Sequence, residues 1–312
     1  MLNAGVIGVG SMGRNHARVY AELENVHLVA IADLNQPVVE QIARIYGTKA
    51  YTNYEEMLDK SNLDVVSVAV PTTLHAKVAS DTISRGINTL VEKPLAVTIE
   101  DGQLLVDLAK NTDVKLTVGY IERFNPAIIE LKKRLNNKEL GKCFQIHSRR
   151  LSSFPARIRD VGVTLDLATH ELDIMRYLID SKITRLYAEI QQKIHDQHED
   201  LISGVLRFEN GVVGVLDVNW LTPTKIRDLT VVGENGMFLA NYLTQDLYFY
   251  ENASPQADLG RPAVWGIQEG NVIKLKVEKE EPLKAELSAF IEAVATDNAP
   301  LVSAEDGLEA LM

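Results

Sequence analysis

The sequence predicts an α/β protein. Its first half is expected to be a doubly wound parallel sheet, and its second half an α+β domain with an open, largely antiparallel sheet. Up to residue 120, apolar strand patterns alternate with helical patterns of about ten residues, which is typical of parallel sheets. Beyond that point strand patterns follow one another directly, and Asn210-Gly211 and Asn235-Gly236 are hairpin-turn pairs. The length of 312 residues suits two domains, which we place at 1–120 and 121–312.

Composition excludes several functional classes. The chain has 46% hydrophobic and 24% charged residues, as globular proteins do. A net charge of −11 without a basic block argues against nucleic acid as a partner. Cys143 is the single cysteine, which excludes an intrachain disulfide and suits a reducing cytoplasm. No apolar run approaches the roughly 18 residues of a membrane helix. With the cysteine count, this favours a cytoplasmic protein, and we expect its partner to be a small molecule rather than a nucleic acid or a membrane.

The first predicted strand runs into a glycine turn. Gly8, Gly10 and Gly13 have the G-x-G-x-x-G spacing of dinucleotide-binding (Rossmann) folds. Gly8 permits a tight turn, Gly10 lets the backbone approach a pyrophosphate, and Gly13 lets the following helix pack on the strand. That helix would direct free N–H groups at the phosphates, and we expect Ser11 and Met12 in the same turn to contact the cofactor.

An acidic residue follows the second predicted strand. Asp33 comes directly after strand 26–32, at 20 positions beyond Gly13. A carboxylate at this place accepts hydrogen bonds from the adenosine ribose hydroxyls and repels a 2′-phosphate, which favours NAD over NADP. The alternative is an acid that caps the next helix, although Asn35 could do that instead.

The remaining elements of the first half alternate regularly. Further strands are predicted at 50–51, 63–70, 88–91 and 115–118, and helices at 12–23, 37–46, 54–59, 75–85 and 99–110. Ligands of such sheets bind beyond the carboxyl ends of the strands. We therefore assign to cofactor binding the residues that follow two of these ends, Pro71, Thr72, His75, Glu92 and Lys93.

In the second half, strands and helices no longer alternate regularly. A helix at 125–135 and a strand at 143–150 precede a polar loop at 151–159 and an amphipathic helix at 163–178. Strands are then predicted at 183–194, 200–208, 211–219, 226–233, 236–241 and 245–250. A closing helix at 281–296 and a further helix from 304 complete the chain.

Three residues form a candidate catalytic set. Lys93 lies at a predicted strand end, and Asp166 and His170 lie four residues apart on one predicted helix, hence on one face. A lysine ammonium can donate to the oxygen being oxidised, a histidine can take its proton, and a carboxylate can hold either in position. This set can move a hydride from a secondary alcohol to NAD. The alternatives are a solvated strand-end lysine and an ordinary pair on a helix face.

Other polar residues are candidates for substrate binding. Four arginines surround the polar loop and could receive a diphosphate or a carboxylate, or be exposed charges; they are Arg149, Arg150, Arg157 and Arg159. Tyr120, Arg123 and Asn125 open the second domain and are further candidates.

A metal site is not expected. Asp166 and His170 have no third ligand at a recognisable spacing. The run of residues 195–200 (HDQHED) lies between two predicted strands and is typical of a solvated acidic turn.

The combined pattern resembles the glucose–fructose oxidoreductase / inositol dehydrogenase (Gfo/Idh/MocA) family. The resemblance is carried by residues 8–13 (GVGSMG), 91–96 (VEKPLA), 123–127 (RFNPA) and 165–173 (LDLATHELD). It implies that Lys93 and His170 are catalytic, that Asp166 orients or relays, and that Lys93–Pro94 is a cis peptide. Ala168 replaces a frequent glycine, which is a small change. The resemblance also implies a homodimer or homotetramer formed through the open face of the C-terminal sheet.

Two segments point to a subgroup of this family. Residues 123–126 and 219–225 (NWLTPTK) are similar to nucleotide-sugar dehydrogenases that oxidise C3 of UDP-N-acetylglucosamine or its uronate. The resemblance therefore implies a sugar or nucleotide-sugar substrate. A polyol or inositol dehydrogenase, a glycosidase that uses transient oxidation by NAD, and a non-catalytic NAD sensor are the alternatives.

Overall fold

The structure, a computed structural model, describes residues 1–155, 161–253 and 270–312. It contains two compact units. Residues 1–124 and 281–312, with Val161, belong to the first, and the other described residues belong to the second. The chain therefore returns to the first unit at its C-terminal end. The domain boundary placed at residue 120 stays a prediction.

The first unit is built on a parallel sheet. Its six strands are β1 (Leu2–Ile7), β2 (Val26–Ala32), β3 (Lys49–Tyr51), β4 (Val65–Val68), β5 (Asn88–Glu92) and β6 (Leu116–Gly119). Their order is β3-β2-β1-β4-β5-β6, and every neighbouring pair is parallel. This is the predicted doubly wound sheet, so the fold class of the first half is confirmed.

Helices begin where local capping side chains allow. The α-helices of the described chain are α1 (Gly13–Glu22), α2 (Gln36–Tyr46), α3 (Tyr54–Lys60), α4 (His75–Ile83), α5 (Ile99–Thr112), α6 (Pro126–Asn136), α7 (Thr169–Ile179), α8 (Pro282–Ala295) and α9 (Ala304–Glu309). Asn35, Asn53 and Thr98 each accept a backbone N–H of the following first turn, which satisfies donors that have no partner within the helix. Gly47 ends α2 in the left-handed conformation (φ 66°).

The parallel sheet has apolar layers on both faces. Val6 and Ile31 pack with α1, α2 and α8 on one face. Val66 and Val68 pack with α4, α5 and α9 on the other. Strands buried on both faces are expected to be near-continuous apolar runs, as these are.

The second unit contains a mixed sheet. Its eight strands are β7 (Cys143–Ser153), β8 (Ile183–Gln191), β9 (Leu201–Phe208), β10 (Val213–Asn219), β11 (Leu221–Gly233), β12 (Gly236–Asn241), β13 (Asp246–Glu251) and β14 (Val272–Leu275). Their order among the described residues is β14-β13-β12-β11-β7-β10-β9-β8. β7 and β10 pair in parallel, and the other neighbours are antiparallel. The predicted largely antiparallel sheet and both Asn-Gly hairpins are therefore confirmed.

Three differences from the predicted elements stand out in the second unit. β7 continues to Ser153, where a loop was predicted, because β11 begins at Leu221 and pairs with it there. β14 had not been predicted at all. The predicted helix 163–178 is instead a π-helical turn, Thr164–Ala168, that continues into α7.

No helix in the described ranges combines the length and the apolar character that crossing a membrane requires.

Candidate functional site

The glycine turn of the first unit has the geometry that its spacing predicted. Gly8 has φ +84°, and a β-carbon there would lie 2.6 Å from the carbonyl oxygen of Ala69. A β-carbon at Gly13 would lie 1.7 Å from the carbonyl oxygen of Gly8. A β-carbon at Gly10 would meet nothing within 4 Å, so the backbone there faces open space. The fold itself requires glycine at 8 and 13, whereas Gly10 leaves room for a ligand.

A largely apolar cavity of about 390 Å³ lies at the carboxyl ends of β1, β2 and β4. The predicted residues Gly8, Gly10, Asp33 and Pro71 line it. The sequence analysis missed other lining residues, among them Leu34, Thr52 and Tyr54. Each lies within a few residues of the end of β2 or β3, which is the signal that could have found them. The volume and the lining suit part of a dinucleotide.

Asp33 is attached to the glycine turn. One carboxylate oxygen accepts the Val9 N–H at 2.8 Å, and the other accepts the Asn35 N–H at 2.9 Å. Asn35, and not Asp33, accepts the Val38 N–H at the start of α2. The alternative interpretation of Asp33 as a cap of α2 is therefore not supported. Its carboxylate lies at the cavity, where ribose hydroxyls could donate to its remaining lone pairs.

The other predicted cofactor residues differ in their surroundings. Ser11 and Met12 lie in the turn that leads into α1, and Thr72 begins a 3₁₀ turn after β4. His75 is buried, and its ring nitrogens lie 2.7 Å from the Pro94 carbonyl oxygen and 3.0 Å from that of Val70. Both polar atoms of the ring thus face backbone groups. The place of His75 in the cofactor site stays a prediction.

Lys93 follows β5 directly. The Lys93–Pro94 peptide is cis, as the resemblance implied. The preceding Glu92 is buried, and its Oε1 lies 2.8 Å from Nε2 of His16. Burial opposes ionisation of Glu92, but the hydrogen bond from His16 and the positive charge of Lys93 outweigh it and lower the Glu92 pKa. An ionised carboxylate therefore precedes the candidate catalytic lysine.

Asp166 and His170 lie in the helical segment of the second unit. Asp166 is in the π-helical turn and is half-buried, and His170 is in the first turn of α7 and is buried. The backbone thus changes from π to α between the two residues. Single π turns in helices are frequent at functional sites, because they redirect side chains.

The residue after His170 fixes this helix to the sheet. The fully buried Glu171 accepts hydrogen bonds from Ser148 Oγ and Arg150 Nε on β7, and Tyr242 Oη lies 3.3 Å from its Oε2. Arg150 is itself 3% exposed. Its guanidinium forms an ion pair with Glu171, so we do not retain it as a substrate residue.

The predicted arginine cluster is not assembled by the described residues. Side chains alternate between the faces of a strand, so Arg149 points away from the face on which Ser148 and Arg150 contact α7. Arg149 donates to both carboxylate oxygens of Asp228, at 2.8 and 2.6 Å. We therefore do not retain Arg149 in the proposed site. Arg157 and Arg159 lie outside the described residues.

The candidates from the start of the second half are buried. Tyr120 is 1% exposed. Arg123 donates to Asp306 at 3.1 Å and to the Leu301 carbonyl oxygen at 3.3 Å within the first unit. Asn125 caps α6 and donates to the Tyr242 carbonyl oxygen at 3.1 Å. Arg123 and Asn125 thus bind other groups of the protein, and the substrate role of Tyr120, Arg123 and Asn125 stays a prediction.

No group of three potential ligands for a metal ion occurs in the part of the chain that the structure describes. In the acidic turn 195–200, Asp200 accepts backbone N–H groups of Lys193, Ile194 and His195. His195 Nδ1 accepts the backbone N–H groups of Gln197 and His198. The polar side chains of this turn therefore bind the backbone of the turn itself.

His16 on α1 and Glu286 on α8 are among the buried titratable residues that the sequence analysis missed. Each is a polar residue at an apolar position of an amphipathic helix, which is the signal that could have singled them out.

Comparisons with known proteins give consistent results for both halves of the chain. The model of the oxidoreductase family with an NAD-binding Rossmann fold matches residues 2–120. The model of the GFO/IDH/MocA C-terminal domain matches residues 128–239.

Two characterised relatives align along nearly the whole chain. The UDP-N-acetylglucosamine 3-dehydrogenase of Acidithiobacillus ferrooxidans is 26% identical over 94% of this chain and 89% of its own. The myo-inositol 2-dehydrogenase of Thermotoga maritima is 26% identical over 100% of this chain and 93% of its own.

Solved structures give the same picture. A structure of the Acidithiobacillus enzyme superimposes with a TM-score of 0.88 at 25% identity, covering 99% of this chain and 94% of the other. A levoglucosan dehydrogenase in complex with NADH superimposes with a TM-score of 0.87 at 23% identity, with coverages of 99% and 94%. The second match shows the fold alone.

Proposed function

Because the chain belongs to the GFO/IDH/MocA family of oxidoreductases, we propose that it oxidises C3 of a UDP-N-acetyl-hexosamine with NAD. The single observation that carries the choice of substrate is the similarity to the Acidithiobacillus UDP-N-acetylglucosamine 3-dehydrogenase. It extends over nearly the whole chain in sequence and in structure.

The coarser function is established by the family. The protein is an NAD-dependent oxidoreductase whose relatives are dehydrogenases of sugars and polyols, acting on CH–OH groups. The predicted enzyme class and the predicted cofactor are therefore confirmed. The residues of the first unit fit this cofactor, because the glycine turn leaves open space at Gly10 and Asp33 lines the same cavity.

The proposed chemistry assigns one task to each side chain. NAD, when bound, supplies the acceptor for the hydride that leaves the carbinol carbon. The Lys93 ammonium donates a hydrogen bond to the substrate oxygen and stabilises negative charge that develops on it. His170 takes the hydroxyl proton as general base, and Asp166 orients His170. The alcohol thus loses one hydride and one proton and becomes a ketone.

The decisive experiment is a screen for NADH formation over UDP-sugars and free polyols. It compares the wild type with Lys93→Ala and His170→Ala, and Lys110→Ala is the control because this exposed lysine pairs with Glu305 away from the strand ends. General acid–base residues contribute about 10²- to 10⁴-fold, so both catalytic variants should lose at least about 100-fold in kcat. Their Kd for NAD should stay within about threefold. Full activity in both variants would exclude the assignment.

An inositol-type dehydrogenase is the second candidate, favoured by the identity to the Thermotoga myo-inositol 2-dehydrogenase. A UDP-sugar has a diphosphate, and an inositol does not. Charge reversal at Arg157 and Arg159 should raise KM for a UDP-sugar and leave KM for an inositol unchanged. A glycosidase that regenerates NAD would instead release free sugar without net NADH in the same screen.

Location and assembly stay predictions. We propose a cytoplasmic homodimer or homotetramer, and light scattering of the purified protein would measure the number of subunits.

A further inference from the structure

We propose that two buried histidines, His16 and His75, are positioning residues for Lys93. His16 acts through Glu92, the residue before the lysine, and His75 acts through Pro94, the residue after it. This inference rests on the catalytic role proposed for Lys93.

His16 lies in a chain of buried hydrogen bonds. Its Nε2 lies 2.8 Å from Oε1 of Glu92, and its Nδ1 lies 3.0 Å from Oγ of Ser67. Oη of Tyr20 lies 2.8 Å from the same Ser67 oxygen. His16, Ser67 and Tyr20 are each 0% exposed, so water does not substitute for these contacts.

The number of protons in this chain fixes its direction. Tyr20 and Ser67 each have one hydroxyl proton, and Tyr20 donates to Ser67 while Ser67 donates to Nδ1 of His16. Nδ1 is then an acceptor, and the ring proton is on Nε2, where it is donated to Glu92. Every donor has an acceptor in this arrangement. A proton on Nδ1 would leave one of the two hydroxyl protons without an acceptor in the chain, which is costly in a buried place.

Glu92 has little room to move away from His16. A β-carbon at Gly119 on β6 would lie 3.2 Å from both Cδ and Oε2 of Glu92, so the absence of a side chain there makes space for the carboxylate. Burial on one side and the His16 bond on the other thus fix the end of β5, immediately before Lys93.

His75 holds the other side of Lys93. Its Nδ1 lies 2.7 Å from the Pro94 carbonyl oxygen, and its Nε2 lies 3.0 Å from that of Val70. Burial lowers the His75 pKa, although both backbone contacts oppose this, so the ring is neutral and has one N–H to donate. We infer from the shorter contact that this proton is on Nδ1 and is donated to the Pro94 carbonyl oxygen. The backbone is therefore tied on both sides of Lys93, by side chains from α1 and α4.

The His16–Glu92 and His75–Pro94 hydrogen bonds are preserved by different amide side chains. A glutamine amide nitrogen reaches about as far as Nε2 of histidine, and an asparagine amide nitrogen about as far as Nδ1. At position 16 only His16→Gln keeps the bond to Glu92, and at position 75 only His75→Asn keeps the bond to Pro94. The four variants His16→Gln, His16→Asn, His75→Gln and His75→Asn therefore form a crossed set with matched polarity.

Kinetics of the four variants test the inference, with the substrate that gives the highest rate in the NADH screen. His16→Gln and His75→Asn should keep kcat within about threefold of the wild type. His16→Asn and His75→Gln should lose about 10- to 100-fold in kcat, because small misplacements of a catalytic group are this costly. Kd for NAD, measured by fluorescence, should differ by less than about threefold within each pair. If the histidines had a merely structural role, the same amide, glutamine or asparagine, would give the higher kcat at both positions. That outcome would overturn the proposal.

A second measurement needs no turnover. ¹⁵N NMR of the histidine rings reports the tautomer directly, and the signals that disappear in the His16 and His75 variants identify these two rings among the seven histidines. The proposal expects opposite tautomers, Nε2–H for His16 and Nδ1–H for His75. A proton on Nδ1 of His16 would overturn it.

The control Lys93→Ala separates the two levels of the argument. If Lys93→Ala is inactive and the crossed order is absent, the inference about the histidines fails and the proposed function stands. If Lys93→Ala keeps full activity, the proposed role of Lys93 fails, and the positioning inference fails with it.

Discussion

One carboxylate oxygen of Asp33 accepts a hydrogen bond from the backbone N–H of Val9 at 2.8 Å. Val9 lies inside the glycine turn, so this single side chain both shapes the turn and contributes a charge to the cavity that the turn lines. The two tasks can be separated by substitution, because the first needs an oxygen acceptor and the second needs a negative charge.

We expect Asp33→Asn to weaken NAD binding by about tenfold, since a hydrogen bond to a charged group contributes about 1.5 kcal/mol or more. The amide oxygen can still accept the Val9 N–H, so the turn should be kept. Binding of NADP should improve relative to NAD, because the charge that repels a 2′-phosphate is gone. Titration calorimetry with both cofactors measures the two constants.

Asp33→Ala is the companion variant. It removes the acceptor for Val9 as well, and it should bind NAD more weakly than Asp33→Asn. Equal NAD affinities in the two variants would show that the Val9 hydrogen bond does not support the turn. An unchanged preference for NAD in both would contradict the role given to the charge.

Two glycines give a second, independent contrast. A β-carbon at Gly10 meets nothing in the protein, whereas one at Gly119 lies 3.2 Å from the Glu92 carboxylate. Gly10→Ala should therefore raise Kd for NAD, by filling space that the cofactor needs. Gly119→Ala should leave Kd unchanged and lower kcat by about tenfold, by displacing Glu92 next to Lys93. Steady-state kinetics and NAD titration of both variants check this. A changed Kd for NAD in Gly119→Ala, with an unchanged Kd in Gly10→Ala, would contradict it.

Substitution of the two neighbouring arginines of β7, Arg149 and Arg150, should change the free energy of unfolding by very different amounts. Arg150→Met would leave the Glu171 carboxylate buried without its ion-pair partner, and removing one partner of a buried pair costs about 3–5 kcal/mol. Arg149→Met is the matched control, because the Arg149 side chain is 43% exposed and such pairs contribute about 1 kcal/mol or less. Denaturant unfolding of the two variants measures the difference.

The double variant Arg150→Met/Glu171→Gln completes this comparison. It removes both charges, so it should be more stable than Arg150→Met alone. If the double variant is the less stable of the two, the Arg150–Glu171 pair is not what makes the single substitution costly.

The parts of the site that could be predicted depend on local backbone geometry. The turn at Gly8 needs a positive φ, Gly13 lies against the carbonyl of Gly8, and Asp33 follows the end of a strand. Each requirement is expressed within a few residues of sequence. The carboxyl ends of parallel strands meet at one edge of the sheet, so a regular alternation of elements was sufficient to bring Gly8, Asp33 and Pro71 together.

The parts that could not be predicted depend on pairing over long sequence distances. Arg149 and Arg150 are adjacent in sequence, yet their partners are Asp228 and Glu171, on different elements and on opposite faces of the sheet. Nothing near the arginines in sequence indicates either partner. The π-helical turn that contains Asp166 was missed for a related reason, since apolar spacing does not distinguish π from α hydrogen bonding over one turn.

Glu286 provides a prediction about stability and pH. It is 3% exposed, and within the described residues neither carboxyl oxygen has a hydrogen-bond partner. Burial raises its pKa well above the usual range, and the negative charges of Glu92 and Glu122 raise it further. The native protein therefore keeps a proton that the unfolded chain releases above its ordinary pKa of about 4.3.

The sign of the effect follows from proton linkage. Where the native state binds more protons than the unfolded state, the free energy of unfolding falls as pH rises, here from about pH 4.3 up to the raised native pKa. Glu286→Gln removes the titration. The variant should therefore gain stability relative to the wild type as pH rises through this window, and the difference should shrink toward pH 4. Glu292→Gln, at an exposed position on the same helix, should show no such trend. Urea unfolding at several pH values measures the three proteins, and a gain that is independent of pH would show that burial of an unpartnered group, and not its titration, is what Glu286→Gln relieves.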